Sequence, residues 1–185
     1  YKVITKTTAA PKQPKQPKQP KQPKQPKIRE RTHNVMQVRP FYHQASNSWS
    51  YILADEVNQV CALIDPVLDF EPASGTIRHD FIDAMLTAAA EAGWLVVWVL
   101  ETHIHADHVS AADFVRTQTG AKIGIGRGVE QVSALFAPIF NLGAHHPNVN
   151  VAFDRLFAPG DHILVGELAV KVLATPGHTP ACVAY

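Results

Sequence analysis

The chain has little cysteine and no long apolar run. Its 185 residues include two cysteines, Cys61 and Cys182, which excludes a disulfide framework and favours a reduced, cytoplasm-like compartment. The apolar run WLVVWVL at 94–100 is far too short to cross a membrane. Residues 1–32 carry no apolar signal-peptide core. We therefore expect a globular, cytoplasmic protein without a membrane partner, and the 46% of apolar residues suffices for a core.

The net charge of +1 hides an uneven distribution along the chain. Residues 1–32 contain ten Lys or Arg and one acid, a charge of +9, whereas residues 33–185 contain seven basic and fifteen acidic residues, a charge of −8. An acidic body offers no electrostatic footprint for a polyanion. We therefore expect no nucleic-acid partner for residues 33–185.

Residues 11–27 repeat the unit Pro-Lys-Gln five times and end in Pro26-Lys27. Proline at every third position prevents helix and sheet ladders and favours polyproline II. We predict that 11–32 is a disordered or polyproline II linker that acts as a charged spacer. A docking arm for an anionic surface or a proline-binding module is the alternative. Because the sequence starts at Tyr1, we expect 1–10 to be the remnant of an upstream segment, with a fused upstream domain.

Residues 33–185 alternate between strand and helix patterns. Strands are predicted at 38–42, 48–55, 59–67, 94–102 and 122–126, and at HILV, LAVKVLATP and CVAY near the end. Helices are predicted at 109–118, at 128–140 and at 76–93, where Ile77, Phe81 and Met85 share a face and Gly93 ends the pattern. Residues 141–156 are predicted to be a loop. This alternation predicts an α/β layered domain.

Ligand-type side chains crowd the end of the apolar strand at 94–102. His103 and His105 are two residues apart, so in an extended stretch both imidazoles point the same way, and Asp107 and His108 follow at once. The motif ATPGHTPAC places His178 just past another apolar strand. Leaving these groups unpaired would be costly. We therefore predict a metal centre assembled from both loops, since imidazole and carboxylate suit first-row metals.

Asp65 also ends an apolar strand, and two roles for it remain open. Its carboxylate would either orient a ligand histidine through a hydrogen bond or cap the turn that it makes with Pro66. The remaining histidines lack such a context. We expect no designed metal-binding role for His33, His43, His79, His145, His146 and His162.

Two motifs resemble a known family. THIHADH at 102–108 resembles the HxHxDH signature of the metallo-β-lactamase superfamily, and TPGHTPAC is similar to its downstream histidine motif. The resemblance covers about 36–185. Within the superfamily, ALIDPVLDF, ETHIHADHVSAA and TPGHTPAC most resemble the persulfide dioxygenase and β-lactamase-hydrolase-like branch. Glyoxalase II is similar, but it usually carries another histidine where Ile104 stands and Gly-Gly where Ser110-Ala111 stand.

The resemblance implies an αββα sandwich, of which 33–185 would be the N-terminal part, and a mononuclear Fe(II). The implied iron ligands are His103, His178 and an Asp expected beyond Tyr185. His105, Asp107 and His108 would then surround the iron or mark a vestigial second metal position, with Asp107 as the catalytic carboxylate. The implied reaction oxidises glutathione persulfide, a small thiol persulfide, to sulfite with O₂. The sequence is compatible with a homodimer without specifying one.

Two other functions remain open. A Zn-dependent hydrolase of the glyoxalase II, thioesterase or β-lactamase type would hold one Zn on His103, His105 and His178 and a second on Asp107 and His108, with a bound hydroxide attacking a carbonyl. CVAY ends in mid-strand, which would leave a sheet edge with unpaired backbone groups. The domain is therefore expected to be incomplete at its C-terminus. An inactive truncated interaction module is therefore the third hypothesis.

Overall fold

A computed structural model describes residues 35–141 and 152–185. The first part of the chain forms β1 (Met36–His43), β2 (Ser48–Asp55), β3 (Val60–Ile64), β4 (Val67–Glu71), β5 (Thr76–Arg78), α1 (Asp80–Glu91), β6 (Leu95–Glu101) and β7 (Val109–Ser110). There follow α2 (Ala112–Thr119), β8 (Lys122–Gly126), α3 (Val129–Ile139), β9 (Arg155–Phe157), β10 (His162–Val165), β11 (Leu168–Lys171), β12 (Leu173–Ala174) and β13 (Val183–Ala184). None of the helices in these two ranges is long and apolar enough to cross a membrane.

A six-stranded mixed sheet, in the order β1-β2-β3-β6-β8-β9, forms the centre of the domain. The first three strands are antiparallel neighbours, whereas β3, β6, β8 and β9 run parallel to one another. Parallel neighbours need crossover connections, and α1, α2 and α3 lie within these crossovers. The carboxyl ends of four strands therefore meet at one edge, which is the usual place for a ligand site in such sheets.

Side chains alternate along each strand, so each face of this sheet carries apolar side chains. Both faces are covered by other parts of the domain. One buried cluster joins the sheet to α1 and α2, and it includes Ile52, Cys61, Leu63, Ile82, Met85, Ala89, Val99 and Val115. The other cluster joins the opposite face to β10, β13 and the segment between β11 and β12, and it consists of Ala62, Leu100, Phe157, Ile163, Val165, Val172 and Val183. The result is a helix layer, a central sheet and a further layer of short strands, as the alternating pattern predicted.

Two predicted helices begin too early because short strands occupy their first residues. Thr76–Arg78 pairs with β4, so α1 begins at Asp80, Ile77 is 51% exposed, and Ile82 is buried in its place. Val109–Ser110 also pairs with β4, so α2 begins at Ala112. Local periodicity could not reveal either pairing.

The end of the chain also differs from the prediction. The single strand predicted at 168–176 is divided into β11 and β12, with Val172 buried between them. The outer strand β9 begins at Arg155, inside the loop predicted at 141–156, and ends one residue beyond it. Residues 1–34 and 142–151 fall outside the described ranges, so the predicted linker at 11–32, His33, His145 and His146 do too.

Candidate metal centre

The histidine loop, residues 102–108, follows β6 and is anchored by the carboxylate of Asp65. Thr102 donates twice to Asp65, from its N–H to Oδ1 at 2.7 Å and from its hydroxyl to Oδ2 at 2.7 Å. Asp65 itself follows β3, donates its N–H to the Leu100 carbonyl at 3.0 Å, and adopts a left-handed φ of 47°. That conformation costs about 1 kcal/mol. One carboxylate thus joins two adjacent strand ends and fixes where the loop starts.

Three histidines of this loop share one arrangement, in which a protein group holds one ring nitrogen and the other is free. The held nitrogens are Nδ1 of His103, at 2.9 Å from the Thr102 hydroxyl, Nε2 of His105, at 3.1 Å from Asp65 and 2.9 Å from Glu101, and Nδ1 of His108, at 3.3 Å from Asp107. Among the described residues, nothing hydrogen-bonds the buried Nε2 of His103, Nδ1 of His105 or Nε2 of His108. Metal-ligating histidines have this arrangement, since the bond at one nitrogen orients the lone pair of the other.

His178 comes from the 175–182 loop between β12 and β13 and meets the histidine loop. Its ring centroid lies 4.8 Å from that of His103, nearly perpendicular to it. The backbone N–H of Val183 donates to the Thr102 carbonyl at 2.9 Å, which holds the two loops together. Two predicted ligands separated by 75 positions in sequence are therefore neighbours in space.

Asp107 lies between two groups of candidate ligand atoms. The ligand atoms of His103, Asp107 and His178 lie within 4.8 Å of one another, and so do those of His105, Asp107 and His108. The Asp107 side chain is 48% exposed, so the centre opens to solvent on that side. All five predicted ligands converge on one region, and their roles as ligands stay a prediction.

The buried acids below the centre set the charge of His105. Burial raises the pKa of Glu101, whereas the pKa of Asp65 is lowered because hydrogen bonds from His105 and Thr102 outweigh its burial. Burial of His105 would lower its pKa, but the hydrogen bonds to Asp65 and Glu101 raise it to about 10. Two acceptors at Nε2 keep a proton there, so Nδ1 is the nitrogen that can bind a metal once it loses its own proton.

Glu101 was not foreseen as a site residue. It is 3% exposed, and besides His105 it accepts a hydrogen bond from the Ser110 hydroxyl. The available signal was an acid ending an apolar strand four positions before a candidate ligand. For Asp65, the contact with His105 is the one that the first of its two predicted roles requires.

The imidazoles of His103 and His108 are favoured in the neutral form that a metal needs. Burial and the neighbouring charge of His105 lower the pKa of His103 and of His108. Three orphaned ring nitrogens and a nearby carboxylate therefore fit a resident transition metal, with Zn²⁺ and Fe(II) both compatible with such donors.

Two cavities open beside the centre. One of about 380 Å³ is bounded by His103, His105 and Arg116. The other, of about 590 Å³, lies between the histidine loop and α3 and is bounded by His105, His178, Phe136 and Phe140. The two phenylalanine rings stack with centroids 5.6 Å apart. The second cavity thus offers an apolar approach to the candidate ligands.

A layered α/β fold and a histidine-rich centre at the ends of its strands are together typical of a class of metal-dependent enzymes. The family model of the metallo-β-lactamase superfamily matches residues 44–185, and the chain belongs to that superfamily. The sequence motifs implied the fold of this superfamily, and the family match confirms that fold.

Three similar proteins give the family its context. The chain is 43% identical over 150 residues to a protein of Burkholderia pseudomallei strain 1710b named "Probable metallo-hydrolase", covering 81% of this chain and 51% of that protein. It is 28% identical to the human mitochondrial persulfide dioxygenase ETHE1, covering 80% and 46%. The crystal structure of ETHE1 from Myxococcus xanthus superposes with a TM-score of 0.58 at 28% identity, covering 80% and 52%. The chain spans about half the length of these relatives.

Proposed function

We propose that the protein is a persulfide dioxygenase that uses Fe(II), O₂ and water to oxidise the outer sulfur of glutathione persulfide to sulfite, releasing glutathione. The observation that carries the proposal is the group formed by His103, Asp107 and His178, whose ligand atoms lie within 4.8 Å of one another. Two histidines and one carboxylate are the ligand set of non-haem Fe(II) oxygenases, in which the remaining positions stay open. In this proposal Asp107 supplies the carboxylate that the family resemblance assigned to a residue beyond Tyr185.

The chain's own residues would prepare the centre and admit the substrate. Bound Fe(II) would supply the positions at which a persulfide sulfur and O₂ react. Asp65 and Glu101 hold the proton of His105 at Nε2 and keep its ring from rotating. Phe136 and Phe140 would exclude water from the approach to His178, because they form an apolar side of that cavity. The resemblance to two proteins named persulfide dioxygenase or ETHE1 supports this substrate class.

The experiment is metal analysis of protein purified without oxygen, together with O₂ uptake on adding glutathione persulfide. We expect about one iron per chain and O₂ uptake that disappears in His103→Ala and His178→Ala. His162→Ala is the matched control, because His162 is exposed at the start of β10, so this variant should retain uptake. Iron-loaded protein that consumes no O₂ with the persulfide would contradict the proposal.

A Zn-dependent hydrolase is the second candidate, and one observation favours it. His105, Asp107 and His108 form another group with ligand atoms within 4.8 Å, and Asp107 belongs to both groups. Adjacent positions that share a carboxylate suit two metal ions and a bridging hydroxide. The relative named "Probable metallo-hydrolase" supports the same reaction class. Two zinc ions per chain and hydrolysis of a thioester without O₂ uptake would favour this candidate over the dioxygenase.

The interaction-module hypothesis makes a separate prediction. If residues 11–27 act by recruiting a partner, deleting them should abolish function while His103→Ala leaves it unchanged. A purified protein that binds neither iron nor zinc would support this hypothesis against both enzymes.

A further inference from the structure

A chain of polar contacts runs from the start of α1 to the candidate metal centre. Nε2 of His43 lies 3.0 Å from Oδ1 of Asp69, and the other oxygen of Asp69 accepts the N–H of Phe81 at 2.9 Å. Nδ1 of His43 lies 2.6 Å from the Ser46 hydroxyl, which donates to the Ser48 hydroxyl at 2.9 Å. His43, for which we expected no metal-binding role, is 6% exposed and belongs to this series of polar contacts.

The chain of contacts ends on two predicted metal ligands. The Ser48 hydroxyl donates to Oδ2 of Asp107 at 3.2 Å, and it lies 3.3 Å from Nδ1 of His108. A serine hydroxyl has one proton, and a carboxylate only accepts. The Ser46 carbonyl, 3.2 Å from the Ser48 hydroxyl, is a second acceptor for that proton. With its proton directed at either oxygen, the Ser48 oxygen can only accept from His108. Nδ1 of His108 must then carry the hydrogen.

The same reasoning explains the free nitrogen of His108. Asp107 also lies 3.3 Å from Nδ1 of His108, so both neighbours of that nitrogen are acceptors. The proton therefore resides on Nδ1 and the lone pair on Nε2, the buried nitrogen without a partner among the described residues. Ser48 thereby influences which tautomer His108 adopts and which way Asp107 turns.

We propose that Ser48, held by Ser46 and His43, is a positioning residue that sets the tautomer of His108 and the orientation of Asp107 for metal binding. The inference rests on the metal centre of the proposed function. It does not depend on which metal binds, and one part of it concerns the metal-free protein alone. Asp69 anchors the far end, because its oxygen accepts the hydrogen on Nε2 of His43 while Nδ1 of His43 lies against Ser46.

The first measurement is a two-bond ¹H–¹⁵N correlation spectrum of the histidine side chains in metal-free protein at neutral pH. In the wild type we expect His108 with its hydrogen on Nδ1. In Ser48→Ala, Asp107 loses the hydroxyl that orients its Oδ2 toward His108, so the remaining acceptor at Nδ1 is no longer held and we expect a mixture of both tautomers. In Ser48→Thr, which retains the hydroxyl, we expect the wild-type spectrum. A Ser48→Ala protein whose His108 stays entirely in the Nδ1–H form would overturn the proposal.

The second measurement is zinc affinity by competition with a chromophoric chelator. Loss of a residue that orients a ligand lowers metal affinity about 10–100-fold; we expect that loss in Ser48→Ala and recovery in Ser48→Thr. Thr119→Val is the matched control, because its hydroxyl bonds only locally, to the Val115 carbonyl and the Ala121 N–H. Zinc affinity within about twofold of wild type in Ser48→Ala contradicts the proposal.

The two readouts separate this proposal from the proposed function. If the wild type binds no metal, the enzyme proposals fail, while the tautomer spectrum still tests the role of Ser48. If Ser48→Ala does not fold, Ser46→Ala carries the test. That variant keeps Ser48 but removes the hydroxyl that bonds it, so a partial shift of the His108 tautomer is expected and an unchanged spectrum counts against the proposal.

Discussion

Replacing Asp65 by Asn tests whether this carboxylate supports the metal centre by holding Thr102 and His105 in place. The carboxylate accepts three hydrogen bonds, from the N–H and hydroxyl of Thr102 and from Nε2 of His105. An amide keeps one acceptor oxygen and places an NH₂ group at the other position, so one of these donors then faces another donor. With the amide oxygen at the Oδ1 position, the Thr102 N–H and His105 keep an acceptor and the NH₂ group faces the Thr102 hydroxyl. His105 then bonds to a neutral partner, and Glu101 alone retains a charge-assisted contact with it.

The expected loss follows from the role of Asp65 as a group that orients a ligand. Such substitutions lower metal affinity about 10–100-fold, which corresponds to about 1.4–2.8 kcal/mol. The assay is a zinc or iron competition titration, with the free energy of unfolding measured in parallel by chemical denaturation. Losing a hydrogen bond to a charged group should also destabilise the metal-free protein, by about 1.5–3 kcal/mol.

Asp55→Asn is the control for that loss of stability. Asp55 is fully buried at the end of β2, and its carboxylate accepts hydrogen bonds from Val57, Asn58 and Glu167. We expect this variant to be destabilised to a similar degree while its metal affinity stays unchanged. Equal losses of metal affinity in both variants, or an Asp65→Asn protein with wild-type affinity, would refute the reasoning.

Two further predictions concern stability. The pKa of Asp55 is lowered, because its hydrogen bonds outweigh the effect of burial; its stabilisation is therefore complete above the unfolded pKa of about 3.9 and is lost as the pH falls through the lower folded value. The difference in unfolding free energy between wild type and Asp55→Asn should shrink on acidification. Gly124→Ala would place its Cβ 2.4 Å from the buried ring of Phe157, so thermal and chemical denaturation should reveal a loss of about 1–3 kcal/mol; Gly177→Ala, with no atom within 4 Å of the added carbon, should not change stability.

The sequence predicted the convergence of the candidate ligand side chains because their signal is local. His103, His105, Asp107 and His108 follow one apolar strand, and the alternation of strands and helices implied that strand ends meet at a common edge. His178 could be added because its motif also follows a strand. The predicted convergence of these side chains agrees with the geometry, and their function as ligands stays a prediction.

Apart from Asp65, the supporting residues could not be predicted in the same way. Ser48 meets Asp107 across 59 positions of sequence and His43 meets Asp69 across 26, so these contacts depend on the register of β1 and β2 and on the packing of β4. The short strands β5 and β7 depend likewise on pairing with β4. Local hydrophobic periodicity therefore assigned Thr76–Arg78 and Val109–Ser110 to helices.

The most direct test of the metal centre is anomalous diffraction from crystals of the metal-loaded protein, recorded at the absorption edge of the bound metal. We predict an anomalous peak about 2.0–2.1 Å from Nε2 of His103, in the group with Asp107 and His178, or from Nδ1 of His105, in the group with Asp107 and His108. Loaded protein with no peak there, or with its only peak at the exposed His162, would contradict the assignment of this cluster as the metal centre.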